Sequence, residues 1–387
     1  MSGIERTSKT SEHFTPQFSN FRPTTIRSRV QKTIWKNFPG ILLPTPALVI
    51  SRLMDGHGLT ALSAAVAKGG TVVFSEGFGY ADPARGQKAT ANSLFRIASN
   101  SKAITATAIH MLAERGRLSL SERVFGPGAI LGTTYGSRPY TNWLVQIEVR
   151  HLLEHSAGGW SNAHNDPMYQ PPTLNHHSLI GATLDADLLE RPPGTTHIYS
   201  NFGYCLLGRI IERKTGESYE GFVRRSVLAP AGAGAMRIGR DRPAERAPNE
   251  VVYTAKGNAS PYSLPVRRMD SHGGWIGSAS DYTRFLLAID GSGAPPDLLS
   301  RASVKAMRTR STAEGGHNYG HGVGTDGTDV GHNGSLTGSR CVMWGGTGGD
   351  AWCVICTGAP APSGKKKKND PLLVALAEMM WKVWHLV

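Results

Sequence analysis

LFRIASNSKAITATAIHMLAERGRLSLSERV, residues Leu94–Val124, is the stretch on which the reading of the fold turns. Ser99 and Lys102 stand in it as S-x-x-K at the mouth of a helix. Ile104, Ala108, Ile109 and Leu112 follow at helical spacing, and Gly116 ends the pattern. A separation of three puts Ser99 and Lys102 on one helical face, with the positive end of the helix dipole beside the serine oxygen. A serine hydroxyl is a weak nucleophile until a neighbouring base takes its proton. A lysine serves as that base only where burial and nearby positive charge depress its pKa. A lysine held beneath a helix-start serine is one way to build this. The same tetrapeptide also describes an N-cap serine beside a solvated lysine, so by itself it does not identify a nucleophile.

The chain of 387 residues is 40% hydrophobic and 18% charged, which suits a sizeable core in one large domain, two domains, or a domain with an insertion. Its 46 Gly and 23 Pro imply long loops. The net charge of +13 invites a nucleic-acid partner, but residues 1–40 supply +5 of it and Lys365–Lys368 another +4. The excess sits in a tail and a loop, not on a folded basic face with interleaved aromatics, so no nucleic acid is expected. The four cysteines, at 205, 341, 353 and 356, are too few for a disulfide framework. Cys353 and Cys356 form C-x-x-C inside AWCVIC, which reads as a buried strand. Residues three apart on a strand face opposite sides, about 10 Å apart, so core cysteines in a reducing compartment are expected.

Residues 1–40 hold no apolar h-region followed by an A-x-A-like site, and the expectation is a basic, mobile segment on a cytoplasmic protein. Thr24–Lys36 has the pattern of a short basic helix. Arg22, Arg27 and Arg29 among Ser and Thr hint at organellar targeting, and Glu5 and Glu12 count against it. The best candidate membrane span, Pro371–Val387, is short and carries Glu378, Lys382 and His385. Those three share one face of a helix whose apolar side is expected to cover a sheet. The alternative is contact with a membrane surface, aided by Lys365–Lys368.

Leu59–Ala67, Lys68-Gly69-Gly70 and Thr71–Tyr80 read as strand, turn, strand. Helical stretches follow at Val149–His155, Tyr204–Thr215 and Ser278–Ile289. Strands resume near His332 and continue through Arg340–Trp344 and Ala351–Thr357, and a terminal helix begins at Pro371. Strands at both ends around a helical middle predict a sheet-containing α/β domain from 41–124 and 259–387, with a mostly helical, loop-rich subdomain inserted at 125–258.

Two more motifs give the tetrapeptide its company. Tyr199-Ser200-Asn201 stands just before a helix in RPPGTTHIYSNFGYCLLGRIIERKTG, and His332-Asn333-Gly334-Ser335 stands at a strand in GHNGSLTGS. In this order S-x-x-K, Y-x-N and H-x-G resemble the active-site motifs of the β-lactamase-related serine hydrolases: class C β-lactamases, penicillin-binding proteins, D-aminopeptidases and family VIII esterases. EGFGYAD, VRHLLEHSAGG and GGWIGSASDYTRF add flanking agreement, and the resemblance covers roughly residues 59–358. It implies a β-lactamase/transpeptidase-like α/β (α+β) fold, an antiparallel sheet flanked by helices, and no cofactor.

The resemblance also implies roles. Ser99 would attack the substrate carbonyl and carry the acyl group, Lys102 would hold or receive its proton, and Tyr199 would act as partner base and then as acid. Which of Lys102 and Tyr199 takes the first proton stays open at this stage. Asn201 would bond to Lys102 or to a substrate amide. The backbone N–H groups of Ser99 and Ser335 would form the oxyanion hole, and Gly334 would let that strand come close. His332 stands where β-lactamases and transpeptidases carry the lysine of Lys-Thr-Gly. A mostly neutral imidazole is a poor anchor for a carboxylate, which favours a small ester or amide substrate without one.

Other readings compete. D-aminopeptidase, weak β-lactamase and acyltransferase activities use the same scaffold. His151-Leu152-Leu153-Glu154-His155 spells the H-x-x-E-H zinc signature, but falls where the family has a metal-free H-L-L-x-H-x-S-G stretch. His176, His177, His317 and His321 read as solvated loop residues. A catalytically silent assembly or surface-binding protein is the reading outside enzymology, and the intact Ser99, Lys102 and Tyr199 weigh against it. The oligomeric state is open.

Overall fold

Lys68-Gly69-Gly70-Thr71 turns the chain back on itself in the computed structural model, which describes residues 44–163, 166–169, 173–361 and 370–387. Gly69 and Gly70 take φ of 54° and 82°, the left-handed pair of a two-residue hairpin turn. The turn joins β1 (Ala61–Lys68) to β2 (Thr71–Asp82). The later strands are β3 (Gln87–Lys88), β4 (Phe95–Arg96), β5 (Arg237–Ile238), β6 (Trp275–Gly277), β7 (Gly324–Thr325), β8 (Val330–Leu336), β9 (Gly338–Gly345) and β10 (Ala351–Ala359). The tail at 1–40, its expected helix at Thr24–Lys36, and Lys365–Lys368 lie outside the described residues.

Seven strands form one antiparallel sheet in the order β3-β2-β1-β10-β9-β8-β7. The β1–β10 pairing, Ala61 opposite Thr357 through Ala67 opposite Ala351, ties the two ends of the chain together. Both central strands are covered on both faces, which is why ALSAAVA and AWCVICTGA read as near-continuous apolar runs, interrupted by Ser63 and Thr357, and not as alternation. Cys353 and Ile355 enter the core on one face of the sheet, while Trp352, Val354 and Cys356 enter the core on the other. All four cysteines are buried and free, and Cys353 and Cys356 point to opposite sides.

The second face is covered by helices Pro46–His57 and Pro371–Leu386, with Leu372, Leu376, Met380 and Val383 packed inward and Glu378, Lys382 and His385 exposed. The first face carries helix Ala279–Leu287 and, beyond it, helix Ser101–Glu114. From Ser101 to Leu112 that second helix is buried all round, so its four-residue apolar stripe understates how deeply it sits. Its alanines and threonines let neighbouring elements approach on every side.

The middle of the chain forms helices Val149–Leu153, His176–Asp185, Asn201–Thr215 and Tyr219–Val223. A second sheet, order β4-β6-β5, links strand β5 of that region to the residues just before Ser99. The apolar core runs without a break from β1 through helix Ser101–Glu114 into the middle helices. Among the described residues no helix is long and apolar enough to cross a membrane.

Candidate active site

Ser99 lies in a 3-10 turn, Ala98–Asn100, that leads directly into helix Ser101–Glu114. Ala98 takes φ of 51°, a left-handed conformation unfavourable for a residue with a Cβ, and so lifts the chain out of strand β4 into the helix. The turn is braced on all sides. Ile97 N–H donates to the Trp275 carbonyl at 3.1 Å, the Tyr282 hydroxyl donates to the Asn100 carbonyl at 2.7 Å, and Ser339 Oγ donates to the Arg96 carbonyl at 2.7 Å. Ser99 itself stays partly exposed.

One helical turn on, Lys102 is wholly buried. Its Nζ lies 3.2 Å from Ser99 Oγ, 2.8 Å from Asn201 Oδ1 and 3.0 Å from the His272 carbonyl oxygen. Burial disfavours the ammonium and lowers its pKa to about 7, against the opposing pull of the Asp166 charge. At neutral pH a large share of Lys102 is therefore a free amine. A free amine has two N–H bonds and one lone pair. Asn201 Oδ1 and the His272 carbonyl can only accept, so they take the two N–H bonds and leave the lone pair facing the Ser99 hydroxyl. That is the geometry of a general base.

Tyr199 arrives from the chain leading into helix Asn201–Thr215, whose N-cap Ser200 accepts from the Gly203 N–H at 3.0 Å. Its ring centroid is 4.8 Å from Lys102 Nζ, and its hydroxyl hydrogen-bonds Ser99. Burial raises the phenol pKa strongly, so Tyr199 keeps its proton. His155 stacks on it with ring centroids 4.1 Å apart, and His155 Nδ1 accepts the Ser200 N–H at 3.1 Å.

β8 passes beside the serine turn. A Cβ on Gly334 would stand 2.1 Å from the Ile97 carbonyl oxygen and 3.0 Å from Ala98 Cβ, so the approach is to the backbone of the nucleophile turn and needs glycine. β7 pairs only with Val330 and Gly331; from His332 onward this edge of β8 has no neighbouring strand among the described residues. Gly334 and His332 share the face turned toward helix Ser101–Glu114, while Asn333 and Ser335 alternate to the other.

His332 is only 3% exposed. Its Nδ1 lies 2.8 Å from the Asn333 carbonyl oxygen, which only accepts, so the ring carries its proton on Nδ1. Nε2 is then the bare nitrogen, 3.2 Å from the Tyr319 hydroxyl that donates to it. Burial, with the nearby Lys102 charge, lowers the imidazole pKa to about 3. His332 is a neutral ring with both nitrogens engaged.

The zinc pattern does not survive folding. Its helix ends at Leu153, and His155 takes φ of 61°, so His151 and His155 are not presented from successive helical turns. His151 Nδ1 accepts the Glu148 N–H at 3.1 Å, and His155 belongs to the aromatic cluster around Tyr199. His321, expected to be solvated, is instead largely inside: its Nδ1 lies 2.9 Å from Nε2 of buried His110. His176 likewise bonds the Arg268 carbonyl at 2.9 Å.

Three contributors escaped the sequence. Asp166 holds the Asn201 amide, its Oδ2 accepting from Asn201 Nδ2 at 2.7 Å and its Oδ1 from the Met168 N–H at 2.9 Å. It sits in a His- and Pro-rich loop with no spacing that connects it to Asn201. Tyr319 lacked any motif. The His272 carbonyl is a backbone group, for which no residue type is a signal; buried Arg209, 2.7 Å from Asp270, pins the Asp270–Gly273 helix that presents it.

Fold and site together define a β-lactamase/transpeptidase-like scaffold in which a serine on the turn that opens a buried helix contacts a lysine on that helix's first turn. The Beta-lactamase family model matches residues 47–361, and the chain belongs to that family of serine hydrolases. It is similar to penicillin-binding protein 4* of Bacillus subtilis (strain 168), 28% identical over 310 residues, 72% of this chain and 63% of the relative. Protein flp of Staphylococcus aureus is 32% identical over 178 residues, 46% of this chain and 34% of that one. The chain thus spans less than two thirds of the length of either. Among solved structures, the octameric penicillin-binding protein homologue from Pyrococcus abyssi aligns at TM-score 0.67 and 24% identity, covering 87% of this chain and 76% of its own. The D-amino acid amidase from Ochrobactrum anthropi SV3 aligns at TM-score 0.69 and 23% identity, covering 88% and 99%. These likenesses establish the fold.

Proposed function

We propose that the protein hydrolyses small acyl esters through an acyl-enzyme on Ser99. The observation that carries this is the placement of Lys102 Nζ between Ser99 Oγ and two pure acceptors, Asn201 Oδ1 and the His272 carbonyl. Ser99 Oγ attacks the substrate carbonyl carbon while its proton passes to the Lys102 lone pair. The N–H groups of Ser99 and Ser335 receive the developing oxyanion, each donor contributing about 3 kcal/mol. Tyr199, held protonated, gives its proton to the leaving alkoxide as the carbon–oxygen bond breaks, and is reprotonated from Lys102. Water then attacks the acyl-enzyme by the reverse proton path and frees the acid and Ser99.

His332 bears on the substrate. With its ring neutral and Nε2 engaged by Tyr319, the site lacks a cation at that position to draw a carboxylate. Esters without that group are favoured over penicillins. Cleavage of D-amino-acid amides would run on the same groups, with an amine as leaving group.

A screen of short-chain aryl esters, D-amino-acid amides, benzylpenicillin and a cephalosporin tests the reading, with mass spectrometry of Ser99 after a fluorophosphonate. The expected result is a single adduct on Ser99 and the highest kcat/KM on an ester. Faster turnover of benzylpenicillin than of every ester would overturn the substrate assignment, and an unmodified Ser99 the mechanism.

A further inference from the structure

Lys102 can act as a base toward Ser99 only while the oxygen of the Asn201 amide, and not its nitrogen, faces Nζ. Turned the other way, Asn201 Nδ2 would donate to the amine lone pair or oppose the ammonium. Nothing in Asn201 itself settles which end points inward. Asp166 does. This carboxylate is 7% exposed, and both of its oxygens are met by N–H donors: Met168 N–H at 2.9 Å and Asn201 Nδ2 at 2.7 Å. A carboxylate flanked by donors is an acceptor at both ends, so the Asn201 nitrogen is held on the Asp166 side and its oxygen on the Lys102 side, 2.8 Å from Nζ.

We infer that Asp166 is a positioning residue of the active site, fixing the polarity of the chain Asp166–Asn201–Lys102 so that the Lys102 lone pair is kept for Ser99. The inference rests on the acyl-transfer reading of Ser99. It assigns Asp166 no contact with substrate. Burial raises the pKa of Asp166 above the ordinary carboxylate value, while its two N–H partners and the Lys102 charge favour the carboxylate. The charge of Asp166 also raises the pKa of Lys102; the imidazoles of His155, His272 and His332, which face Lys102 as well, are each kept neutral by burial.

An isosteric exchange reverses the chain. In Asp166→Asn the amide oxygen stays with the Met168 N–H, so the new NH2 faces Asn201, whose own NH2 must swing toward Lys102. With a short-chain aryl ester, kcat should fall about 10²-fold while KM moves little, as expected for a misaligned reacting group. The acid limb of kcat/KM should shift to lower pH, because a negative charge near Lys102 is gone. Adding Asn201→Asp restores a pure acceptor opposite both Lys102 and the amide introduced at position 166. The double variant should regain at least about tenfold of the lost kcat, with its acid limb above that of the wild type. A residue that merely supports the loop would give neither the rescue nor limbs moving in opposite directions.

Three outcomes with the variants overturn the inference: Asp166→Asn at wild-type kcat, a double variant no faster than Asp166→Asn, or a double variant that does not fold by circular dichroism. Fluorophosphonate labelling of wild-type Ser99 separates the two claims. An unlabelled wild type overturns the reading of Ser99 and this inference with it, whereas a labelled wild type beside a fully active Asp166→Asn overturns Asp166 alone.

Discussion

Lys102 Nζ lies 3.0 Å from the carbonyl oxygen of His272, a residue 170 positions further along the chain. A carbonyl that belongs to a short helix pinned by the buried Arg209–Asp270 pair cannot turn away, so one Lys102 N–H has a fixed direction. The amine is aimed as much by backbone as by side chains. Its surroundings exclude water, and burial carries its pKa from 10.5 down to about 7.

A pH dependence follows. The competent form is the free amine, whose fraction rises as pH increases through the folded pKa. Ester kcat/KM should therefore fall off on the acid side with a midpoint near 7 and level off above it, well below the usual lysine range. A pH–rate profile on a substrate without ionisable groups checks this. An acid limb centred near 4 would mean that a carboxylate, and not Lys102, carries the proton.

Ser99, Lys102 and Tyr199 touch one another, so their effects should not multiply. Ser99→Ala should remove the covalent adduct and nearly all turnover. Lys102→Ala and Tyr199→Phe should each lower kcat by orders of magnitude. The double variant should be far better than the product of the two losses, because either change already breaks the single proton path from Ser99 to the leaving group. Single-turnover rates for the four proteins of this cycle give the coupling directly. Fully multiplicative losses would show that lysine and tyrosine act in separate steps.

How much of this was legible in the chain depended on what each residue does locally. S-x-x-K and Y-x-N each combine a side chain with a helix start, H-x-G combines one with a glycine in a strand, and the glycine pair of the β1–β2 hairpin leaves a plain mark. Helix Pro46–His57 went unread even though Thr45 caps it and Pro46 opens it, because it stands just after a segment of unreadable pattern. Helix His176–Asp185 lies hidden behind the His- and Pro-rich loop. Asp166 and Tyr319 act through residues far away in sequence, so no local spacing announces them. His321 read as solvated because its partner His110, 211 positions away, is on a helix face that only the fold brings opposite it.

Gly334 offers a test of how closely the strand and the nucleophile turn must pack. An alanine Cβ there would meet the Ile97 carbonyl oxygen at 2.1 Å, a backbone atom that cannot swing aside. Gly334→Ala should push β8 away from Ala98–Asn100, at about 1–3 kcal/mol in stability. The larger effect should be on kcat, by about 10²-fold, since the two backbone N–H groups proposed for the oxyanion sit on the two separated segments. Thermal unfolding and ester kinetics measured together distinguish this from global damage. Unchanged kcat would remove β8 from the catalytic site.

The terminal helix provides the last test. Pro371–Leu386 places Leu372, Leu376, Met380 and Val383 in the core on the outer face of the sheet, and Trp381 packs edge-on against Trp344 and Trp352 at centroid distances of 5.0 and 5.6 Å. Removing the helix would strip its half of the cover from the cluster that holds Val66, Val354 and Cys356 of the two central strands, leaving only helix Pro46–His57 on that face. Deletion of residues 371–387 should yield unfolded or insoluble protein. Trp381→Ala, which keeps the helix, should lower stability by about 3–5 kcal/mol while leaving kcat nearly unchanged in the protein that remains folded, because the sheet separates Trp381 from Ser99. If the helix served instead to seat the protein on a membrane surface, the truncated chain would stay folded and active and lose only its binding to anionic vesicles. Denaturant unfolding and vesicle sedimentation of the two variants decide between these arrangements.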